Sequence, residues 1–358
     1  MSNTSSSGLP LQCIERLSVD ASELMATTPP RWSSPNKAAI AAMTCPPGSM
    51  YRGVVQYSRW KLASLPTAAM SDFPLPHAEA IPGTMDYVAG QINTGGAIGV
   101  NGEVHWQVNF ADSELFFGYS GNLMAQDEWQ VVEHPSLGAL RQRLLRDGCR
   151  TRMIEAGQAT PALVRGVERR CEFAAIAGQV SGARSGAGSA VAAAESMYGG
   201  RFAGASVQRV RNAVRVIEPP TISNIIVIAA PTPGYGKYTP AQIETVVRIA
   251  LTGFAAAVAE SAPLEGTSLP VIVNTGFWGC GAFGGNRVLM AMLQLLAARA
   301  AGVGKVRFFV PERSQLVDFS KAQSVLAELT DRVPGTGIAA ILEQIAAMGF
   351  VWGESDGN

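Results

Sequence analysis

Three polar side chains stand together in the sequence at Gln126, Asp127 and Glu128, downstream of the run Val108-Asn-Phe-Ala-Asp112. Two adjacent carboxyl groups can do acid/base chemistry. Cleavage of a glycosidic bond, for example, needs a proton donor for the leaving group and a base for water. The same residues are also typical of a solvated acidic turn or a helix cap, and without other context they favour that plainer interpretation.

A second stretch that could bind a ligand is the glycine-rich loop Asn274-Thr-Gly-Phe-Trp-Gly-Cys-Gly-Ala-Phe-Gly-Gly-Asn286. Glycines let the backbone approach a ligand closely, and main-chain N–H groups beside a helix N-terminus form an anion site that suits a diphosphate. The loop is neither a P-loop nor a dinucleotide-binding fingerprint. A packed strand–helix turn with Trp278 and Phe283 in the core is the open alternative. Cys280 suggests a nucleophile, but no histidine lies near it in sequence.

The segments around these stretches must position them. Apolar runs and alternation predict strands at 104–110, 222–229, 269–273 and 305–310. Helical spacing of apolar residues predicts helices at 137–145, 241–261, 287–301 and 338–348. Strands alternating with helices predict a layered α/β sandwich.

Regular patterning begins only near residue 96. Residues 1–35 are rich in Ser, Thr and Pro, which predicts a flexible N-terminal tail. Residues 36–95 mix Pro-Pro, Pro-Gly and short apolar runs, which predicts an accessory, partly helical layer. Residues 96–350 form the expected core. The N-terminus lacks the features of a secretory signal, and we expect no membrane span.

The composition excludes several classes of protein. Hydrophobic residues make up 47% of the 358 residues and charged residues 16%, which argues against global disorder. The formal net charge of zero gives no basic surface for nucleic acid. Five scattered cysteines and three distant histidines provide no zinc pattern and favour a reducing, cytoplasmic compartment. We therefore expect a small-molecule or protein-borne ligand, with no metal and no cofactor.

Both chemical stretches resemble the poly(ADP-ribose) glycohydrolases. Thr275-Gly-Phe-Trp-Gly-Cys-Gly-Ala-Phe-Gly-Gly285 resembles the diphosphate loop of that family, and the run from Leu289 to Ala298 resembles its next helix. The family signature is Val-Asp-Phe-Ala-Asn, then Gly-Gly-Gly, a spacer and Gln-Glu-Glu. This chain has Val108-Asn-Phe-Ala-Asp112, Phe116-Phe-Gly118, seven spacer residues and Gln126-Asp-Glu128 in the same register. The resemblance covers about 96–137 and 222–312.

The resemblance implies a macrodomain-like three-layer α/β/α sandwich with a mixed sheet and an N-terminal accessory segment. It also implies that Glu128 is the catalytic acid/base, that Asp127 is the neighbouring ribose-binding carboxylate, and that Phe283 lies near the distal ribose. Ile98 matches an adenine-contacting position. The other ligand-binding residues that it implies are Asn109, Asp112, Gly118, Gln126, Tyr235, Thr275, Gly276, Trp278, Gly279, Cys280, Gly281 and Ala282.

The chain departs from the family at several of these positions. Phe116 and Phe117 replace two glycines, and bulky side chains there should prevent the same close approach of the backbone. Asp127 is one methylene shorter than the usual glutamate. Tyr235 lies in a loop where the family has a tyrosine that clasps the ligand, but the local match is weak and a plain surface residue is equally expected.

These observations lead to a hypothesis and two alternatives. The hypothesis is an ADP-ribosyl glycohydrolase that acts on mono-ADP-ribosylated protein or on a small ADP-ribosyl conjugate, because the altered glycine signature argues against long polymer. The expected partner is ADP-ribose or an ADP-ribosylated substrate, not nucleic acid or membrane. The alternatives are a non-catalytic ADP-ribose reader and a hydrolase of another NAD-derived nucleotide.

Overall fold

The computed structural model describes residues 9–83, 85, 91–93, 96–98, 102–173, 197–230, 232–262, 269–332 and 335–356. Within these ranges ten strands form one sheet and two form a separate hairpin. The strands are β1 (Leu11–Asp20), β2 (Val54–Leu62), β3 (His77–Pro82), β4 (Gln91–Asn93), β5 (Gly96–Ile98), β6 (Val104–Ala111), β7 (Ile154–Glu155), β8 (Gln158–Ala159), β9 (Ala162–Phe173), β10 (Val214–Ala229), β11 (Val271–Gly276) and β12 (Lys305–Val310).

The large sheet is mixed. Its order is β1-β2-β9-β10-β6-β11-β12-β3, with β4 and β5 attached beside β6. β10, β6, β11, β12 and β3 run parallel to one another. β1, β2 and β9 pair antiparallel, and β9 is antiparallel to β10. The parallel strands read as nearly continuous apolar runs because both of their faces are covered.

Helices cover both faces of the sheet. They are α1 (Ala21–Thr27), α2 (Pro35–Thr44), α3 (Gln126–Glu133), α4 (Pro135–Arg146), α5 (Val207–Ala213), α6 (Pro240–Ser261), α7 (Arg287–Ala301), α8 (Leu316–Arg332) and α9 (Ile338–Ala347). Successive residues of β10 point to opposite sides, as a strand requires. Ile226 and Ile228 pack in the cluster of α6 and α7, while Ile225 and Val227 pack in the cluster of α1 and α4. The predicted α/β sandwich with a mixed sheet is confirmed.

The longest helix among the described residues, α6, is apolar enough by composition to cross a membrane, with a mean hydropathy of 1.3 over its best window. In the fold it is a core helix, because 67% of that window is buried. It packs against α7 and against β10. Burial between these elements accounts for its apolar sequence.

The prediction of a flexible tail over residues 1–35 is wrong from residue 9 onward. β1 pairs with β2 from Leu11 opposite Leu62 to Asp20 opposite Val54. Asp20 then caps α1, because its side chain accepts hydrogen bonds from two backbone N–H groups of the first turn. β1 is an edge strand, and every second side chain faces water. That polar alternation made the segment resemble a tail; residues 1–8 lie outside the described residues.

The predicted accessory layer over residues 36–95 is also wrong in part. α2 is the expected helix, but β2 and β3 are strands of the main sheet, β2 beside β9 and β3 at the far edge beside β12. The segment therefore completes the sheet on both sides. Its short apolar runs separated by proline and glycine concealed strands whose partners are distant in sequence.

Candidate active site

The two candidate motifs lie at one edge of the sheet. β6 ends at Ala111 between β10, which ends at Ala229, and β11, which ends at Gly276. The segment after β6 leads into α3 at Gln126, the glycine loop joins β11 to α7, and residues 232–239 follow β10. The carboxyl ends of neighbouring parallel strands meet at the same edge, which is where α/β folds bind ligands. The topology therefore brings the acidic motif and the glycine loop together.

Gln126 fixes the start of α3 onto β6. Its side-chain Nε2 donates to the Val108 carbonyl at 3.0 Å, and its Oε1 accepts from the Phe110 N–H at 2.7 Å. The pairing of β11 with β6 extends only as far as Gln107, so the amide of Gln126 continues the ladder beyond that point. Gln126 is thus a structural anchor for the two carboxyl groups that follow it.

The Glu128 carboxyl group is held from two sides. Its Oε2 accepts a hydrogen bond from the Ala125 N–H at 3.0 Å, which closes the first turn of α3. Its Oε1 lies against Gly118, where a Cβ atom would come closer than 3.0 Å to that oxygen. Glu128 is 5% exposed. The glycine at 118 is therefore required by the position of the carboxylate.

The phenylalanines that replace the two other glycines leave this contact intact. Phe116 adopts a left-handed conformation with φ of 50° and buries its ring in the cluster of α1 and α4. Phe117 points to solvent with 61% exposure, and its ring lies 5.6 Å from the Arg141 guanidinium. Neither side chain occupies the space between Gly118 and Glu128. The expectation that they prevent a close approach of the backbone to a ligand stays a prediction.

Asp127 is buried beside Glu128. Its Oδ1 accepts a hydrogen bond at 3.1 Å from the Asn109 side chain, which is itself fully buried. Burial raises the pKa of Asp127 to about 8, and the charge of Glu128 acts in the same direction. Asp112 is exposed, and its charge raises the pKa of Asp127 further. The predicted ligand residue Asn109 thus contacts Asp127 rather than the protein surface.

The glycine loop is closed by its own backbone. The Trp278 N–H donates to the Gly276 carbonyl at 2.7 Å, and the Gly285 N–H donates to the Gly279 carbonyl at 2.9 Å. Gly279 has a positive φ of 73°. At Gly276 a Cβ atom would come within 2.8 Å of the Phe309 carbonyl oxygen. These glycines allow the loop to turn tightly over the end of β12.

The loop ends at the N-terminus of α7. Asn286 caps that helix by accepting a hydrogen bond from the Leu289 N–H at 3.1 Å. A helix N-terminus preceded by glycines attracts anions. The middle of the loop is half-buried, which leaves backbone within reach of a ligand at Gly279, Cys280, Gly281, Ala282 and Phe283.

Two other predicted loop residues, Thr275 and Trp278, face the protein interior. Thr275 is buried and donates its hydroxyl proton to Gln294 at 2.6 Å. Trp278 is buried in the core, and its indole N–H has no partner among the described residues. Burial raises the pKa of the Cys280 thiol well above its usual range, which argues against a thiolate nucleophile. Among the residues that the structure describes, no cluster of three His, Cys, Asp or Glu side chains could hold a metal ion.

Two further predicted ligand-binding residues lie on other segments of the chain. Tyr235 is 96% exposed in the loop after β10. Its neighbour Tyr238 is buried, accepts a hydrogen bond from the Asn286 N–H at 3.0 Å and so ties this loop to the glycine loop. Ile98 lies in β5 beside Val104, at the opposite end of β6 from Asp127, and its side chain lies outside the described residues.

Sequence reasoning missed the C-terminal segment over residues 351–356, which lies on the glycine loop. The Gly353 N–H donates to the Gly284 carbonyl at 2.8 Å, and the Asp356 N–H donates to the Gly281 carbonyl at 3.3 Å. A Cβ atom at Gly281 would lie 3.0 Å from an Asp356 carboxylate oxygen. Trp352 is the one signal that could have revealed the segment, because a large aromatic residue in a polar terminus needs a packing partner.

Lys37 and Tyr198 are also missing from the sequence predictions. Lys37 is fully buried, and burial lowers the pKa of its ammonium group to about 8 against the opposing effect of Glu128 and Asp127. Tyr198 is 39% exposed, and its partial burial together with the charges of Asp356 and Glu128 raises its pKa. Both residues therefore lie in the electrostatic field of the acidic motif.

Comparison with known proteins agrees with the fold. Residues 198–318 match the family model described as poly (ADP-ribose) glycohydrolase (PARG), macro domain fold. The chain is therefore similar to that family over this segment, which is less than half of its length. The matched segment contains the glycine loop, whereas the acidic motif lies upstream of it.

Solved PARG structures are similar at low identity. The PARG from Thermomonospora curvata is 13% identical with a TM-score of 0.45, over 84% of this chain and 96% of that one. The PARG from Deinococcus radiodurans in complex with ADP-ribose is 13% identical with a TM-score of 0.40, over 87% of this chain and 95% of that one.

Proposed function

We propose that this PARG-like protein is an ADP-ribosyl glycohydrolase with Glu128 as the acid/base. The family match supports the reaction class. The observation that carries the proposal is the placement of Glu128: its carboxyl group is fixed by the Ala125 N–H and by Gly118, at the same sheet edge as the glycine loop. A diphosphate on that loop would direct the adjoining ribose toward the acidic motif.

The chemistry then needs two proton transfers. The Glu128 carboxyl group donates its proton to the acceptor atom as the bond from that atom to the anomeric carbon breaks. A water oxygen bonds to the anomeric carbon, and the water proton returns to Glu128. The products are free ADP-ribose and the unmodified acceptor. Asp127, whose pKa is raised to about 8, holds a proton at neutral pH and is able to donate a hydrogen bond to a ribose oxygen.

The proposed substrate is a mono-ADP-ribosylated protein or a small conjugate. A long polymer carries many phosphates and calls for a cationic groove. This chain has zero net charge, and near the proposed site it presents the exposed apolar ring of Phe117 and the carboxylate of Asp356. These groups suit a short ligand better than a polyanion. A cytoplasmic location is part of the proposal and accords with the five cysteines, all of which are free.

The test is turnover. Purified protein is incubated with mono-ADP-ribosylated protein, with a small ADP-ribosyl conjugate and with polymer, and released ADP-ribose is quantified. We expect release from the first two. Glu128→Gln keeps an acceptor for the Ala125 N–H and should abolish release while ADP-ribose still binds. If no substrate is cleaved although ADP-ribose binds, the protein is a reader. Calorimetry against ADP-ribose, NAD and ADP tests the third candidate, which is favoured if NAD binds more tightly than ADP-ribose.

A further inference from the structure

The segment between α1 and α2 is hydrogen-bonded to the turn that carries Gly118. The backbone N–H groups of Ser33 and Ser34 both donate to the Ser120 carbonyl at 2.9 Å. The Arg31 N–H donates to the Tyr119 hydroxyl at 2.8 Å. Three hydrogen bonds from one short segment thus fix the two residues that follow Gly118, and Gly118 contacts the Glu128 carboxylate.

Lys37, in the first turn of α2, adds a fourth hydrogen bond to the same turn from the protein interior. Its Nζ donates to the Tyr119 carbonyl at 2.8 Å, and its side chain is fully buried. Burying an ammonium group costs several kcal/mol unless opposite charge lies nearby. A neutral donor could make the same hydrogen bond without that cost, so the charge itself needs an explanation.

α2 packs against α3, and the charges of Glu128 and Asp127 on α3 act on Lys37. α2 also packs against α5 and β10. The charged side chains on those elements near it, Arg209 and Arg211 of α5 and Arg215 of β10, are exposed to solvent. The buried ammonium therefore acts on the acidic motif. The other buried carboxyl group of α3, that of Glu133, pairs with Arg169 at 2.9 Å.

We propose that Lys37 is a positioning residue of the active site, which holds the Gly118 turn against Glu128 and supplies the positive charge that offsets the adjacent carboxyl groups. This inference rests on the proposed hydrolase function. Glu128 must pass through its ionised form once per turnover, and a neighbouring ammonium favours that form. Removing the charge should raise the pKa of Asp127, because Lys37 lowers it in the native protein.

Two variants separate the charge from the hydrogen bond. Lys37→Gln retains a donor for the Tyr119 carbonyl without the charge, and Lys37→Met removes both. Lys321→Met is the matched control, because Lys321 is exposed on α8. The first measurement is the pH dependence of kcat and KM between pH 5 and 9. The second is the titration of the Asp127 carboxyl carbon by NMR, which requires no turnover.

Glu128 and Asp127 both hold a proton at the start of the reaction, so we expect both Lys37 variants to shift the basic limb of the kcat profile and the Asp127 midpoint upward by up to about one pH unit. At neutral pH, kcat should fall about tenfold with a smaller change in KM, and Lys321→Met should match the wild type. Unchanged profiles and midpoints would overturn the proposal, even if the melting temperature falls. If the wild type cleaves nothing, the hydrolase proposal fails by itself, and the Asp127 titration still decides whether Lys37 acts on the acidic motif. If Lys37→Met does not fold, Lys37→Gln carries the same test.

Discussion

Replacing Gly118 by alanine tests whether the site depends on the contact between this glycine and Glu128. The added Cβ would lie closer than 3.0 Å to Oε1 of Glu128, whereas ordinary van der Waals contact begins at 3.4 Å. Gly118 has no positive φ that alanine would strain. The turn is fixed by its hydrogen bonds, so we expect the carboxylate to move instead.

The size of the effect follows from the geometry. Restoring normal contact requires a displacement of about 1 Å, and a misplacement of that size costs about 100-fold in rate, or roughly 2.7 kcal/mol of activation free energy. The displaced carboxylate also loses its hydrogen bond from the Ala125 N–H, which contributes about 1 kcal/mol to stability. The melting temperature should therefore fall by only a few degrees.

The assay is single-turnover release of ADP-ribose from a mono-ADP-ribosylated protein, together with calorimetric binding of ADP-ribose. Gly121→Ala is the matched control from the same turn, because its Cβ would meet only the Gly118 carbonyl oxygen at 3.6 Å. We expect Gly121→Ala to retain the wild-type rate and Gly118→Ala to lose about 100-fold with little change in affinity. A Gly118→Ala protein with wild-type turnover would refute the role of this contact, and equal losses in both variants would show only a general sensitivity of the turn.

Three further changes follow from the same geometry. Asp127→Asn should remove a pH dependence of stability. The pKa of Asp127 is raised from 3.8 to about 8, so the folded state binds the extra proton and the wild type loses stability as pH rises through that window. Denaturant unfolding at pH 5 and pH 9 should show that the free energy of unfolding of the variant rises relative to that of the wild type at the higher pH. Asp356→Asn should tighten ADP-ribose binding about fivefold at low salt, because a carboxylate beside Gly281 repels a diphosphate by about 1 kcal/mol. Calorimetry at two salt concentrations should show that this gain in affinity becomes smaller as the salt concentration rises. Cys280→Ala should leave kcat within about twofold, because the raised pKa of this thiol leaves no thiolate; loss of turnover in the progress curve would restore the nucleophile alternative.

The core elements were predictable because their side chains follow a strict period. The predicted bounds of α7 and β12 agree with the structure, and β6 is one residue longer than predicted. Only the apolar half of β10 was recognised, since its first residues are exposed. The edge strand β1 was missed because polar residues alternate along it. Local pattern identifies a buried element, and it fails where one face meets water.

In the candidate site, too, the contiguous motifs could be predicted from the sequence, whereas residues that are distant along the chain could not. The glycine loop and Gln126–Glu128 are contiguous motifs, and the parallel topology brings them to one edge. Lys37 and Asp356 come to that edge from opposite ends of the chain through contacts with Tyr119 and Gly281. No local spacing reports such contacts, because they depend on how distant segments pack after the sheet has formed.

The fold accommodates the phenylalanines at 116 and 117 in two different ways. A left-handed φ at Phe116 costs about 1–2 kcal/mol, and full burial of its ring contributes about 1.5–3 kcal/mol, so the substitution is tolerated. The Phe117 side chain is exposed to solvent, so the replacement of glycine by phenylalanine there does not disturb the packing of the core. Only the third position abuts the carboxylate, and only there does the chain keep glycine. The packing of this turn therefore requires glycine at one position, where Gly118 approaches Glu128, rather than at three.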